Sequence, residues 1–406
     1  MSEEELGSVV EKVKTAEVSD EYGPGNERWE MRPLSELMEP VLGKTPKRSE
    51  DEYWGGDIQW ASAKDISQSE TRHVYDTAEN MTEAGKEASN APILPAGTVV
   101  VIARGATMGR VAQLGEPMTF NQTCYGLDTN DELLDDYLYY AWQYVFGQVQ
   151  AVSYGTVFDT ITMKSFDDIE IPVPSLEIQK SIAEWLGAID DKIESNVHES
   201  EELEEVADEI YRGLFEEYVG YKSLTGSTVG KIPEDFRVGE INDLLSLEYG
   251  DGLPQREREG EEYPVYGSSG VTGRHNESLI EGPGIIVGRK GTIGTVMLEM
   301  DDFWPIDTAF YVSPEEDDEL LYLYHLLKNT PLSHLGSDSA VPGLNRNVAH
   351  DQEIAIPPRQ TRLTFVEKVQ PFHKKKNHLA SQTRTLKSIR DLILPQFLSG
   401  KITPST

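Results

Sequence analysis

The feature that most constrains this chain is a long heptad helix that occurs twice. The stretch Ile171-Pro-Val-Pro-Ser-Leu-Glu-Ile-Gln-Lys-Ser-Ile-Ala-Glu-Trp-Leu-Gly-Ala-Ile-Asp-Asp-Lys-Ile193 begins as a strand end. Pro172 and Pro174 remove two backbone donors and favour extended geometry before them. Ser175 then suits a helix cap, and Glu177 suits the positive end of the helix dipole. Apolar and small residues recur at Ile182, Leu186, Ile189, Ile193, Asn196, Ser200, Leu203, Ala207, Ile210 and Leu214. Steps alternating four and three mark a coiled-coil seam. At ~1.5 Å per residue the helix is roughly 50 Å long. Near the end of the chain Ile356-Pro-Pro opens a second seam: Phe365, Val369, Phe372, Lys376, Leu379, Thr383, Leu386, Arg390, Ile393 and Phe397. The step from Ile182 to Phe365 equals the step from Leu214 to Phe397, so each member of one seam has its counterpart in the other. Two such helices at a fixed repeat distance predict an antiparallel coiled coil within one chain. Pro371 lies inside the second copy and is expected to kink or delay it.

The segments before the helices are diverged copies as well. Trp29–Leu37 matches Phe236–Leu244 in pattern. Val100-Val-Ile-Ala-Arg-Gly-Ala-Thr-Met-Gly109 matches Ile285-Ile-Val-Gly-Arg-Lys-Gly-Thr-Ile-Gly294, and at the same offset Asn121-Gln-Thr123 falls opposite Ile306-Asp-Thr308. The 406 residues therefore read as domain–helix–domain–helix with a pseudo-two-fold repeat. The boundaries are an acidic leader over 1–26, a mixed domain over 27–175, a helix over 176–219, a linker and second mixed domain over 220–357, and a helix with tail over 358–406. The expected fold class is α+β, two mixed α/β domains joined by the two long helices.

Charge and motifs exclude several function classes. A net charge of −35 would by itself repel nucleic acid. The acids are scattered through all segments, as a high-salt, halophilic cytoplasm favours, and at molar salt the Debye length is ~3 Å. DNA contacts would then rest on short-range hydrogen bonds. No run of 18 apolar residues predicts a membrane span, and the acidic start Met-Ser-Glu-Glu-Glu-Leu lacks the apolar core of a signal peptide. The expected location is cytoplasmic. Cys124 is the single cysteine, which rules out an intrachain disulfide and a cysteine zinc site. Gly43-Lys-Thr45 resembles the end of a phosphate-binding loop, but Met38 stands where that loop needs glycine. Asp190-Asp191 reads as a solvated face rather than a catalytic pair, and the eight histidines show no metal-ligand spacing. No catalytic residues, metal or cofactor are assigned.

Two glycine-rich stretches carry more information. Gly43–Ile66 places a basic turn before a Trp-Gly-Gly bend, and Tyr263-Pro-Val-Tyr-Gly-Ser-Ser-Gly-Val-Thr-Gly273 offers close backbone approach and hydroxyl donors. Candidate DNA-binding residues are Lys44, Lys47, Arg48, Lys64, Arg104 and Gln122 in the first domain. In the second they are Arg256, Arg258, Tyr266, Ser268, Arg289, Lys290 and Arg346. The alternative is that Trp54, Trp60 and Tyr266 are core aromatics and the arginines are surface charges.

Together these motifs resemble the specificity subunit of type I restriction–modification systems. They are Gly-x-Thr-Pro with Tyr53-Trp-Gly-Gly-Asp-Ile-x-Trp60, Tyr263-Pro-Val-Tyr-Gly-Ser-x-Gly270, and Ile171-Pro-x-Pro with Gln179-Lys-x-Ile-Ala and Asp190-Asp-Lys-Ile193. Ile210-Tyr-Arg-Gly-Leu-Phe215 and Leu394-Pro-Gln-Phe-Leu-Ser-Gly-Lys-Ile402 are similar to that family's helix ends, so the resemblance runs from about residue 27 to 402. The second copy departs at Gln360-Thr-Arg-Leu363 and at Pro371. The resemblance implies two target-recognition domains, each reading half of a split site in double-stranded DNA, and a coiled coil that sets their separation. It implies two docked modification (methyltransferase) subunits that bring S-adenosylmethionine. It also implies restriction (endonuclease and translocase) subunits that bring ATP hydrolysis. The chain itself would supply specificity and no chemistry. From the residues alone, an acidic coiled-coil scaffold binding only protein partners, or an enzyme with an unrecognised site, stays open.

The acidic excess generates a salt prediction. Acidic self-repulsion is screened in concentrated salt, so the thermal midpoint should hold or rise from dilute buffer to molar potassium chloride. A midpoint that falls steadily with added salt would contradict the halophilic reading.

Overall fold

The computed structural model describes residues 29–69, 71–152, 160–335 and 343–404, so the acidic leader lies outside the described residues. The chain divides into two compact units, one of residues up to His198 together with Leu379 onward, the other Glu199–His378.

The first unit begins with β1 (Glu30–Pro33), β2 (Met38–Leu42), β3 (Trp54–Ala61), α1 (Ala63–Gln68), β4 (His73–Val74), β5 (Asn80–Met81) and α2 (Glu83–Ser89). It continues through β6 (Val99–Ile102), β7 (Val111–Leu114), β8 (Thr119–Phe120), β9 (Cys124–Thr129), α3 (Asp135–Val152), α4 (Ser165–Asp168) and β10 (Glu170–Val173) into α5 (Leu176–Phe215). One sheet has the order β2-β9-β6-β7-β4, a smaller one β5-β3-β8, and β1 pairs with β10. β6 is an unbroken apolar run because both its faces are covered. Val99 and Val101 enter the main core, and Val100 and Ile102 enter a second cluster with Leu114 and Phe120.

The second unit holds β11 (Leu224–Ser227), β12 (Gly230–Pro233), β13 (Arg237–Glu240), β14 (Leu245–Tyr249), β15 (Tyr263–Gly267), β16 (Gly270–His275), β17 (Gly284–Gly288) and β18 (Val296–Glu299). Then come β19 (Trp304–Pro305), β20 (Ala309–Pro314), α6 (Leu320–Asn329), α7 (Arg346–His350), β21 (Glu353–Ile356) and the start of α8 (Arg359–Leu398). Its sheets repeat those of the first: β14-β20-β17-β18, β16-β15-β19, and β13 with β21. The register repeats too. Trp60 faces Thr119 in a parallel pair, as Val265 faces Trp304, and Met38 faces Thr129 as Leu245 faces Pro314. Gly109 and Gly294, which hold the same place in the two copies, both have positive φ, at 83° and 77°. In each case a side chain would strike the following segment, Phe146 or Leu332–Ser333.

Each long helix has 40 residues. Within the first unit, Ile182, Leu186, Ile189 and Ile193 are buried with Leu386, Ile393 and Phe397. Asp190 meets Arg390 at 2.9 Å and Asn196 meets Thr383 at 3.4 Å, so these stretches run antiparallel. Within the second unit Glu204 pairs with Lys376, and the Tyr211 ring lies 5.7 Å from Phe365, again antiparallel. Here the buried residues of α5 are Ala207, Tyr211 and Phe215, while the expected seam members Ile210 and Leu214 are half-buried. The seam turns because this end of α5 packs on α6 as well as on α8, through Tyr211 and Phe215 against Tyr322.

Two further expectations are corrected. Asp190 is not on a solvated face: it is 2% exposed and accepts from the Tyr140 hydroxyl and from Arg390. Asp191 is exposed and pairs with Arg72. Of the two effects expected of Pro371 the delay is absent, since α8 is helical from Arg359 onward. The proline sits in an exposed stretch, so the Glu367 carbonyl it leaves without a donor can be hydrated.

The start of each long helix is tied down by one buried side chain. Gln179 donates to the carbonyls of Glu132 and Pro174 at 2.9 and 3.0 Å and accepts from the Leu134 amide at 3.0 Å. Arg362, its counterpart in the second copy, donates to the Pro357 carbonyl at 2.6 Å and makes a bidentate pair with buried Glu319 at 2.8 and 3.0 Å. The apparent loss of the glutamine motif in the second copy is thus a replacement at the same place.

Between α5, α6 and α8 the second unit buries a polar chain. Asp208 Oδ1 lies 2.7 Å from His325 Nδ1, and His325 Nε2 lies 3.0 Å from His373 Nε2. Burial, and next the neighbouring His325, lower the His373 pKa to about 4, although Glu204 opposes this; Lys376 and Lys328 act with His325. An unfolded histidine titrates near 6.5, so the unfolded state binds more protons between about 4 and 6.5. Stability contributed by neutral His373 is therefore full above 6.5 and is lost as pH falls toward 4, on the order of 3 kcal/mol. His350, whose pKa is lowered by burial, acts in the same direction. Glu204, held well below the usual carboxylate range by Lys376 and Lys328 against its own burial, adds a loss only below the ordinary carboxylate pKa. The urea midpoint should drop between pH 7 and 5, and His373→Gln should flatten that slope. An equal slope in the variant would contradict this assignment.

Candidate nucleic-acid interface

In the first unit, four loops gather at one edge of the sheets. The register places Leu42 beside Tyr125 and Ile102 beside Cys124, so the loops after β2, after β6 and before β9 meet. The parallel β3–β8 pair brings the loop after Ala61 to the same edge, where the Asn121 amide donates to the Ala61 carbonyl at 3.0 Å. Gly43 allows the basic turn to close against its neighbour, since a Cβ there would lie 2.2 Å from the Asn121 carbonyl oxygen. Two indoles hold the turn by its backbone: Trp60 Nε1 donates to the Lys44 carbonyl at 2.9 Å and Trp54 Nε1 to that of Lys47 at 3.3 Å. The Arg48 guanidinium lies over both rings, at 4.3 and 4.8 Å from their centroids, and pairs with Glu79. Thr45 donates to Gln122. Lys47, Lys64 and Arg104 are exposed, and with half-buried Lys44 they form no ion pair among the described residues.

The second unit repeats this edge. Tyr249 pairs with Phe310 and Gly288 with Ala309, which collects the loops after β14, after β17 and before β20. The Arg289 amide donates to the Thr308 carbonyl at 2.9 Å, and the Leu344 amide donates to the Arg289 carbonyl at 2.8 Å. Arg289 Nη1 donates to the Asp307 carbonyl at 3.0 Å, and Lys290 Nζ approaches the Asp307 carboxylate at 3.4 Å. Arg289 and Arg346 both lie over the ring of Tyr249, at 4.6 and 5.1 Å, and Arg346 is 3.6 Å from Glu248. Tyr249, Arg289, Lys290, Asn345 and Arg346 line a cavity of about 390 Å³. Ser268 belongs to this edge, its carbonyl packed against Gly288.

Three residues fall elsewhere. Tyr266 is core: it is 9% exposed, packs on Phe303 and donates its hydroxyl to Glu299 at 2.6 Å. Arg258 braces its own loop by donating to the carbonyls of Leu253 and Thr272 at 3.1 and 2.6 Å. Arg256 projects from that loop beside Glu257. Of the tryptophans, Trp60 is core and Trp54 half-buried, as the alternative reading allowed. Tyr249 and Asp307 were missed. The repeat offset was the available signal for Asp307, which stands opposite Gln122 when the two copies are aligned and holds the same place on the edge.

The model of the type I restriction modification DNA specificity domain matches residues 26–205 and 233–386. The chain belongs to the specificity-subunit family of type I restriction–modification systems. It is 27% identical over 413 residues to the MjaIX specificity subunit of Methanocaldococcus jannaschii, covering 92% of this chain and 93% of that one. The EcoprrI specificity subunit of Escherichia coli is 22% identical over 374 residues, covering 88% and 91%. The fold is similar to the crystal structure of a type I S subunit from M. genitalium, with a TM-score of 0.54 at 19% identity over 93% of this chain and 98% of that one. Among the described residues no helix is long and apolar enough to cross a membrane.

Proposed function

We propose that this specificity subunit reads a bipartite, asymmetric site in double-stranded DNA, one half at each loop edge. The observation that carries the reading is the repeated edge. In a chain of net charge −35, two copies of one sheet arrangement each gather basic side chains at the same edge, with Arg104 and Arg289 at the same place in the two copies. Loop residues differ at matching places, Gly105 against Lys290 and Gln122 against Asp307, so the two half-sites differ as well. Exposed lysines suit phosphates, which fix position without carrying sequence, and held arginines suit base edges. The long helices would dock two modification subunits, which supply the methyl-transfer chemistry, with restriction subunits joining that assembly in the cytoplasm. The helices would also set the unread spacer between half-sites. The chain's own part is recognition without catalysis.

The exposed, unpaired cations give a test that leaves the core intact. Lys47→Gln, Lys64→Gln and Arg104→Gln together, in the complex with modification subunits, should weaken binding about equally across DNA sequences. The slope of log affinity against log salt should flatten by about 0.9 for each phosphate no longer neutralised. Unchanged affinity and slope, measured by a fluorescence titration over several salt concentrations, would remove this edge from the DNA site.

A further inference from the structure

The second-unit edge contains an arrangement that its own charges do not explain. Arg289 and Arg346 share one face-partner, Tyr249, which is itself 48% exposed. Two guanidiniums brought to one ring repel each other. Among the described residues the nearest acids offset this poorly, since Glu248 approaches Arg346 only to 3.6 Å and Asp307 gives Arg289 its carbonyl rather than its carboxylate. The Nε of Arg346 is also buried with no hydrogen-bond partner among the described residues. Both facts point to an acceptor-rich group that belongs in the adjoining cavity of about 390 Å³.

The two arginines differ in how firmly they are held. Arg289 has its main chain bonded on both sides, its guanidinium over Tyr249 and 5.6 Å from Phe310, and one N–H committed to a carbonyl. A planar fork fixed in this way loses little rotamer freedom on binding and presents its remaining donors in one orientation. Lys290 beside it is a flexible point charge. A rigid fork matches two acceptors on one base edge, and the O6 and N7 atoms of guanine are that pair in the major groove.

We propose that Arg289 is a specificity-determining residue that reads one guanine in the half-site of the second unit, with Tyr249 as the platform that orients it. Lys290 and Arg346 take the neighbouring phosphates. This rests on the proposed DNA reading and adds a base and a residue to it.

The test uses the full chain with its modification subunits and sequences methylated positions on random-sequence DNA. Arg289→Lys keeps the charge and removes the fork. It should relax the requirement for guanine at one position of one half-site by about 10- to 100-fold, leaving the salt slope and the other half-site unchanged. Tyr249→Ala should relax the same position, while Tyr249→Phe, which keeps the ring, should not. Urea midpoints of the variants separate this from a general loss of fold, because a folding defect would lower methylation at all sites without changing the motif. An unchanged motif with a salt slope lowered by about one in Arg289→Ala would make Arg289 a phosphate contact and overturn the proposal. An unchanged motif and slope would overturn it also. A wild-type complex that methylates without sequence preference would instead refute the underlying DNA reading.

Discussion

Each long helix depends on one buried tie to the mixed domain that precedes it. In the first unit the tie is an amide: Gln179 offers a donor and an acceptor to backbone groups of residues 132–134 and 174. In the second it is an ion pair, because Arg362 finds the buried carboxylate of Glu319 at the start of the equivalent helix region. Both also bond the carbonyl of the proline that ends the preceding strand segment, Pro174 or Pro357. The chemistry is not interchangeable. A glutamine opposite Glu319 would leave that buried carboxylate with the half-exposed Arg359 alone, 3.3 Å away, and an arginine at 179 would bury a charge against neutral carbonyls. The duplication therefore kept the joint and exchanged its two halves together.

That joint also shows where reading the sequence stops. The heptad spacing located both helices, and the constant offset between the seams located their equivalence. The same spacing could not show a third element. Near Phe215 the helix faces α6 as well as its helical partner, and Tyr211 and Phe215 displace Ile210 and Leu214 from the core. Asp190 looked solvated for the same reason, since Tyr140 comes from another segment, 50 residues away in sequence. At the candidate sites the basic turn and the Arg-Lys-Gly loop were legible as motifs. That Tyr266 faces the core and Tyr249 the surface was not, because both stand in short aromatic-containing strands and only the pairing register separates them.

The electrostatics of the edges follow from scarcity. With 36 basic residues against 71 acidic ones, several edge cations already share an acid: Arg48 with Glu79, Lys290 with Asp307, Arg346 with Glu248. Exposed pairs of this kind contribute little to stability, so they exchange readily for a phosphate or a base. Stacking on Trp54, Trp60 and Tyr249 places the guanidiniums whether or not the acid stays bound. Orientation by rings rather than by charge suits a protein whose long-range field opposes its proposed ligand.

The central claim is that one duplicated unit gives two independent half-site readers, with the helices as the ruler between them. The most direct measurement inserts one heptad after Asn196 and a matching heptad beside its partner Thr383, which keeps both helices in phase. The insertion adds ~10 Å of helix, equal to about three base pairs at 3.4 Å each. Methylation sequencing of DNA treated with the complex should show both half-sites unchanged and the spacer between them longer by about three base pairs. A constant spacer together with altered bases at the half-sites would contradict the account.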